Sequence, residues 1–390
     1  MSLFSKKEKK ELVAVFDIGS SGVGGALFWT DGGSSPEIIF SVRESIPFQE
    51  VFDFERFFVN TLKALEEVAK EISLSNLGAP SKIFCVLSSP WYASQTRTIL
   101  LEKNNPFVFT SKLADSLIQK EIALFKEEHM EKYASLGRDM RLIEFKNMKT
   151  SLNGYVTDSP LEKKATKLEM VLFFSMSPEY ALQKMEEAIG RHLRSKGIKF
   201  SSFVMAAFAV SRDMFIHREN FLLIDIGSEV TDISMAKKDI LKEAIAFPLG
   251  KNFILRGIMD SLGKTADQAE SLFALYKKDH AEKKLSDKID KALFQIGLDW
   301  LKKFQEALVG LSNDISIPST IFLTTDDDVA DWFVDTIKNE QFNQYTLTES
   351  KFKIIIINAA LLHGIATFKE AVVRDRFIII ESIYIARFLQ

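Results

Sequence analysis

The sequence predicts a two-lobed α/β fold with a small α+β domain inserted in it. Three observations carry that expectation. The tetrapeptide Asp-Ile-Gly-Ser occurs once in each half of the chain, at residues 17–20 and 225–228. Each copy closes one apolar run and precedes another, the pattern of a strand–turn–strand. The 390 residues also exceed what a single ordinary core holds. A repeat at half-chain spacing in matched surroundings predicts paired lobes rather than a solenoid, whose periods are about 20–50 residues.

The elements follow in order. Leu12–Asp17, Val23–Trp29 and Glu37–Ile46 read as strands, with Gly19, Gly22, Gly32 and Gly33 in the turns. Phe54, Phe57, Phe58, Leu62 and Leu65 recur at helical spacing. Lys82–Leu87 and Thr96–Leu101 read as further strands. Ser111–Tyr133 is a charged amphipathic helix, and Met140–Met148 and Lys167–Ser175 are strands separated by the turns Asn153-Gly154 and Ser159-Pro160. Ser177-Pro178-Glu179 reads as a helix start, serine as cap and proline in the first turn, with the helix running to about Ser195 and stopping at Gly197. The opening pattern then returns. Phe221–Ile224 ends in Asp225, and Asp232–Ala236 and Ile240–Phe247 continue as strands. Helices are expected at 252–262, 266–278, 285–311 and 329–338, and strands at 321–323 and 354–357.

Composition excludes several classes. Apolar residues make up 46% of the chain, enough for buried cores, and a net charge of −3 argues against a broad nucleic-acid surface. The single cysteine, Cys85, cannot form an internal disulfide, which fits a reducing cytosolic compartment. The longest apolar stretch, Phe203–Val210, falls far short of the roughly 20 residues a membrane span needs. The N-terminus has no hydrophobic signal region, and Lys6, Lys7, Lys9 and Lys10 make residues 1–11 a basic, flexible tail. The five histidines, His129, His192, His217, His280 and His363, are scattered without metal-ligand spacing. There is no Gly-x-Ser-x-Gly and no Walker loop.

The repeated turn has a chemistry. Glycine lets a ligand approach the backbone, successive N–H groups form an anion site, and a serine hydroxyl adds a donor. An aspartate at the strand end can hold the water shell of Mg²⁺. Two such hairpins facing each other would clamp a triphosphate.

Phe16-Asp17-Ile18-Gly19-Ser20-Ser21 and Leu223-Ile224-Asp225-Ile226-Gly227-Ser228-Glu229-Val230-Thr231-Asp232-Ile233 resemble the two phosphate motifs of the actin-like ATPase superfamily, the actin/Hsp70 fold of ribonuclease H-like lobes. The bacterial branch holding FtsA and PilM is the closest match. Leu152-Asn153-Gly154-Tyr155 resembles the FtsA inserted domain. Phe247–Asn252 resembles the loop after the second motif, Asp267–Glu270 the helix start that follows, and Asn358–Ala366 the closing helix. The resemblance spans 12–368. It implies a first lobe at 12–102, an inserted FtsA-type domain at 103–178, a return to the first lobe at 179–220 and a second lobe at 221–370. An apolar C-terminal element covers 371–390.

The resemblance further implies ATP and Mg²⁺ as ligands. Asp17 and Asp225 would be Mg-associated, Gly19, Ser20, Ser21, Gly227 and Ser228 would meet the phosphates, and Gly250 would lie on the adenosine side. No water-activating residue can be named. Four departures from the family pattern predict weakened nucleotide binding, or a lobe that keeps the fold without the catalysis. Gly24 stands where a lysine is common, removing a cation. Ser228 and Glu229 stand in a normally glycine-rich loop, and a carboxylate there repels phosphate unless it points away. Phe273 replaces a lysine near the adenine. Thr324-Thr325-Asp326-Asp327-Asp328 replaces paired glycines, its aspartates reading as a solvated loop that caps the next helix.

In this branch the inserted domain mediates assembly and partner contacts at the cytoplasmic face of the membrane. FtsA links division filaments to the membrane, and PilM docks a peptide from a membrane partner. FtsA proteins end in an amphipathic membrane helix. Here Phe377–Leu389 is apolar around the whole helical wheel, which reads as a buried final element rather than a membrane foot. The leading expectation is an FtsA-like cytoplasmic scaffold with a degraded ATP site, working through division proteins, self-assembly of the inserted domain and peripheral membrane contact. The alternatives are a PilM-like pilus-assembly adaptor and an active ATPase or sugar-kinase-like enzyme. The last needs a base at a substrate hydroxyl, for which no candidate stands out.

Overall fold

The computed structural model describes residues 10–31, 35–137, 139–194, 197–277, 283–311, 317–338 and 351–389. Nearly all of the expected basic tail, the turn glycines Gly32 and Gly33, the helix end at Ser195, and His280 lie outside these residues.

In chain order, β1 (Glu11–Ile18), β2 (Gly22–Thr30) and β3 (Glu37–Ser45) form a meander. Helix α1 (Phe54–Leu74) starts at Asp53, whose side chain accepts from the Arg56 N–H, and it buries Phe57, Phe58, Leu65, Val68 and Ile72 on one face. Then come β4 (Lys82–Leu87), β5 (Ala93–Val108), α2 (Ser111–Met130), β6 (Met140–Leu152), β7 (Tyr155–Val156), β8 (Lys164–Pro178), α3 (Glu179–Gly190), β9 (Ile198–Ser202) and α4 (Phe203–Met214). The second half supplies β10 (Phe221–Ile226), β11 (Thr231–Lys237), β12 (Ile240–Phe247), α5 (Lys251–Leu262), α6 (Ala266–Lys277), α7 (Lys283–Leu311), β13 (Thr320–Thr325), α8 (Ala330–Lys338), β14 (Lys353–Ile356), β15 (Thr367–Phe368) and α9 (Arg376–Phe388).

Three sheets result. One has the order β15-β3-β2-β1-β4-β9, the second β12-β11-β10-β13-β14, and the third β5-β8-β6-β7. The tetrapeptide repeat is a repeat of topology as well. In the first sheet β1 pairs antiparallel with β2 and parallel with β4, and in the second β10 pairs antiparallel with β11 and parallel with β13. Strands covered on both faces read as unbroken apolar runs, as Val13–Phe16 and Phe221–Ile224 do. Each sheet has its own core: Phe16, Phe28, Phe84 and Trp91 in the first, Trp300, Phe304 and Phe333 in the second, and Phe125 and Phe174 in the third.

The structure departs from several sequence expectations. The strand expected at 96–101 in the first lobe is the longer β5, paired along β8 in the third sheet, so the boundary drawn at residue 103 cuts through a strand. Likewise, β15 pairs with β3 of the first sheet and Ile357, Leu362 and Ala366 pack in the first core, so the second lobe does not run to 370. The closing helix expected at Asn358–Ala366 is a series of turns, opened by Asn358 accepting from the Leu361 and Leu362 N–H groups. Ser177 does not cap α3. It is the penultimate residue of β8, and its hydroxyl donates to the Trp91 carbonyl at 2.7 Å. The C-terminal element is α9, buried from Ile378 to Ala386 against α4 and the first sheet. No helix of the described residues is long and apolar enough to cross a membrane.

Candidate functional site

The two Asp-Ile-Gly-Ser turns face each other across the cleft between the first and second sheets. Each is a tight strand connection: the Gly19 N–H donates to the Gly22 carbonyl, and the Gly227 N–H to the Val230 carbonyl. The turns touch. Ser228 Oγ donates to Ser21 Oγ at 3.0 Å, and the Glu229 N–H donates to Ser20 Oγ at 3.3 Å. A Cβ on Gly227 would stand 2.4 Å from Ser20 Oγ, so glycine is required for this approach. Ser89 Oγ, after β4, donates to Asp232 Oδ1 on β11 at 2.7 Å, adding a third contact between the lobes. The space left between the turns, lined by Asp17, Gly19, Ser20, Arg43, Asp225 and Gly227 among others, is about 20 Å³. That holds about one water molecule and cannot hold a triphosphate.

Asp17 sits at the end of β1 and is 2% exposed. Its Oδ2 accepts from Arg43 Nη2 at 2.5 Å, and Arg43 Nε donates to Asp375 Oδ2 at 2.5 Å. Arg43 lies directly across the β2–β3 ladder from Gly24. A Cβ on Gly24 would meet Arg43 Nη2 at 2.7 Å. The missing lysine is therefore accompanied by a different cation that fills its space. This corrects the expectation of a lost positive charge, but the arginine is committed to two carboxylates.

Below Asp17 lies Glu381 of α9, fully buried. Neither Glu381 oxygen nor Asp17 Oδ1 meets a donor of the ordinary kind, the arrangement of two facing carboxyls that share a proton. Burial pushes Glu381 well above its ordinary value, and the Asp17 charge pushes it further. Burial raises Asp17 as well, against the lowering effect of Arg43. Asp225 is raised strongly by burial and by its neighbours Asp232 and Asp17, although Thr324 Oγ1 donates to its Oδ1 at 2.6 Å. Burial thus works against the charged form of both expected Mg-associated aspartates, opposed at Asp17 by Arg43 and at Asp225 by the Thr324 hydroxyl. Among the described residues, no group of three His, Cys, Asp or Glu could hold a metal ion.

Glu229 points away from the cleft. Its carboxylate takes a bidentate pair from Arg256, both bonds 2.8 Å, and a bond from Asn252 Nδ2 at 2.7 Å. Arg256 also donates to the Gln49 carbonyl of the first lobe from Nε at 3.0 Å and Nη2 at 2.9 Å. One arginine of α5 therefore ties the second turn to the loop after β3, and no spacing rule in the sequence marks that pair.

Gly250, expected on the adenosine side, is the N-cap residue of α5. It precedes α5 and packs under the second turn, where a Cβ would stand 2.3 Å from the Gly227 carbonyl oxygen. The aspartates after β13 lie in a solvated turn, Asp327 81% and Asp328 53% exposed, and are ion-paired there. Lys251 Nζ bridges Asp328 at 2.7 Å and Asp326 at 3.3 Å, and Arg376 binds Asp327 and donates to the Thr325 carbonyl at 2.6 Å. Thr325 Oγ1 is spent on the Ile226 carbonyl at 3.0 Å. The structure thus brings Asp17, Gly19, Ser20, Ser21, Asp225, Gly227 and Ser228 together at the cleft and leaves Gly250 behind it.

A second feature lies where the third sheet meets the first. Strand β9 is the edge of the first sheet, and β6 is covered on its outer side by β7 only at Ser151 and Leu152. Between these edges runs a groove of about 320 Å³, lined by Ile143, Phe145, Lys146, Lys199, Phe200 and Leu389 among others. Buried Glu144 braces its floor, accepting from Ser202 N–H at 3.1 Å, Ser202 Oγ at 2.7 Å and the Tyr384 hydroxyl.

Among solved structures, the chain is similar to the PilM–PilN type IV pilus biogenesis complex. The identity is 14%, over 95% of this chain and 97% of that one, with a TM-score of 0.61. It is also similar in outline to a Bacteroides thetaiotaomicron protein of actin-like ATPase fold and unknown function, at 11% identity, 92% and 95% coverage and a TM-score of 0.38. EutJ, an ethanolamine utilization protein from Carboxydothermus hydrogenoformans, gives 9% identity, 89% and 84% coverage and a TM-score of 0.41. No protein-family model matches the chain, and no curated protein does. The fold is the actin-like ATPase fold, a mixed α/β architecture of two related sheets with an inserted third.

Proposed function

We propose that this actin-fold chain is a non-hydrolysing adaptor of the PilM type, which holds a segment of a pilus-assembly partner at the cytoplasmic face of the membrane. The direct contact of the two turns through Ser20, Ser21, Ser228 and the Glu229 N–H carries the first half of that reading. The residues present do not fit MgATP: the phosphate space is closed, Asp17 is bound by Arg43, and Thr324 occupies Asp225. No hydrolytic step is derived through them.

Two observations favour the pilus reading over the division scaffold. The PilM–PilN similarity covers nearly the whole of both chains. In the segment where an FtsA-like protein would carry its membrane helix, α9 is buried instead, with Ile378–Ala386 inside the first core. A buried helix cannot also lay an apolar face on a bilayer. The groove between the β6 and β9 edges supplies a docking place of the right kind. Two strand edges offer backbone donors and acceptors to an extended segment, and flanking pockets take its side chains. Lys146 and Lys199 give it a basic rim.

Calorimetry with MgATP on the wild type, Asp17→Ala and Asp225→Ala tests the first half. The expected result is no binding at millimolar ATP by folded protein. Micromolar binding lost in both variants would overturn it. The second half is tested with the cytoplasmic segment of a single-span pilus protein encoded beside this gene, titrated as a peptide. Binding that Ile143→Arg abolishes is expected. Division genes as neighbours, with no response to the peptide, would return the chain to the FtsA-like reading.

A further inference from the structure

Helix α9 stands with one end at the closed cleft and the other at the groove between β6 and β9. At the first end, two consecutive residues hold the two turns. Asp375, the N-cap, accepts from Arg43 Nε at 2.5 Å, and the same guanidinium donates to Asp17 Oδ2 of the first turn at 2.5 Å. Arg376 donates to the Thr325 carbonyl at 2.6 Å and pairs with Asp327, while Thr325 Oγ1 donates to the Ile226 carbonyl of the second turn at 3.0 Å. At the other end, Tyr384 lies beneath the groove. Its hydroxyl donates to Glu144 on the floor, Lys146 Nζ of the rim stands 5.7 Å from its ring centroid, and Leu389, just past the helix, forms part of the wall.

Between these ends the helix has no slack. Its thirteen residues, Arg376–Phe388, make a rod about 20 Å long. Every side chain from Ile378 to Ala386 is at most 1% exposed and lies within the first lobe. A close-packed interior passes a displacement on rather than absorbing it. The sign of the link follows from the bonds. Parting the turns pulls the helix toward the second lobe through Arg376 and toward the first through Asp375, so α9 keeps its seat only while the turns are closed. Out of that seat Tyr384 no longer braces Glu144, and a buried carboxylate loses a donor. The groove is therefore best formed when the cleft is closed.

We propose that α9 links the two sites, so that a segment held in the groove locks the lobes closed and its release frees them. A ligand shifts an equilibrium by the difference in its affinity for the two states, and such a link acts equally in both directions. The inference rests on the reading of the groove as the docking place of a pilus-assembly partner, and the test separates the two.

The test is amide exchange of the intact protein with and without the cytoplasmic segment of the single-span pilus protein encoded beside this gene, added as a peptide at saturating concentration. The amides of residues 18–22 and 227–230 become accessible when the lobes part, so their exchange reports closure. Bound peptide should slow it by at least about fivefold, the low end of a typical coupling. Arg376→Met cuts the tie to the second lobe about two helical turns from Tyr384. It should still bind the peptide and lose the slowing. Tyr384→Phe, at the other end of the link, should lose the slowing as well at its own saturating concentration, and it decides by the same criterion where circular dichroism shows Arg376→Met misfolded. Turn exchange unchanged in peptide-saturated wild type overturns the link and leaves the docking reading intact. Slowing that survives in Arg376→Met overturns it too, because the signal then bypasses α9. No binding of the peptide to wild type overturns both.

Discussion

At the scale of single residues, the cleft is governed by one guanidinium and three carboxyls. Arg43 stands between Asp17 and Asp375, and Glu381 lies against Asp17 from below. Removing the cation leaves carboxylates buried without a partner. A fully buried pair broken this way loses about 3–5 kcal/mol, and because 32% of the Arg43 side chain reaches solvent, Arg43→Met should cost about 2–3 kcal/mol, read by urea unfolding. Gly24→Lys should not restore a phosphate lysine. Its Cβ alone meets Arg43 at 2.7 Å, so the variant should unfold earlier and gain no affinity for ATP. Glu381 gives a pH dependence with a definite sign. Its folded form binds a proton more tightly than the unfolded chain, so native protein carries the extra proton above pH 4.5. That contribution to stability is present in full below this value and is lost as pH rises toward the folded pKa. Glu381→Gln keeps a neutral side chain that can donate to Asp17. It should flatten the decline in stability above pH 4.5 that the wild type shows, measured by thermal unfolding across pH.

At the scale of elements, much was legible because the signals are local. Apolar runs that end in Asp17 and Asp225 marked β1 and β10, and the phenylalanine spacing from Phe54 marked α1. What escaped is what depends on distant partners. A strand of sixteen residues with an alternating, mostly exposed pattern, β5, announces only its most apolar stretch, and its pairing with β8 is set by tertiary contact. Phe203–Val210 was recognised only as an apolar stretch, because a helix buried all round has no amphipathic period. In the candidate site, the loop residues could be read, and their partners Arg43, Arg256 and Glu381 could not. A salt bridge across a ladder, or from a helix to a turn, leaves no spacing rule. Arg256 offers an element-level test, since from α5 it holds both Glu229 and the Gln49 carbonyl. Arg256→Ala should cost about 1–3 kcal/mol through the charged hydrogen bonds it loses. Amide exchange should quicken in residues 46–53 and 227–230 while the strands of both sheets stay protected.

At the scale of the whole molecule, the question is whether the lobes can move. The cleft is bridged at Ser20–Glu229, Ser21–Ser228, Ser89–Asp232 and Arg256–Gln49, and the inserted sheet adds Thr96 Oγ1 donating to the Leu241 carbonyl at 2.7 Å. Helix α9 and its cap reach every part: Asp375 binds Arg43 of β3, Glu381 faces Asp17 of the first turn, Arg376 meets the second lobe at Thr325 and Asp327, and Tyr384 meets Glu144 of the inserted domain. An equilibrium shifts only by the difference in a ligand's affinity for the two states. A nucleotide excluded from the closed state could bind only by opening the cleft, and would have to overcome all of these bonds at once. Small-angle scattering of the wild type should therefore show the same radius of gyration with and without millimolar MgATP. The combined variant Ser20→Ala, Ser228→Ala, Arg256→Ala removes three of the bridges and should scatter as a larger particle, because each lobe keeps its own core and only their mutual closure is lost. An unchanged radius in that variant would place the closure in α9 and the inserted sheet rather than in the turns. A wild type that compacts on adding MgATP would mean that the phosphate turns still serve a ligand.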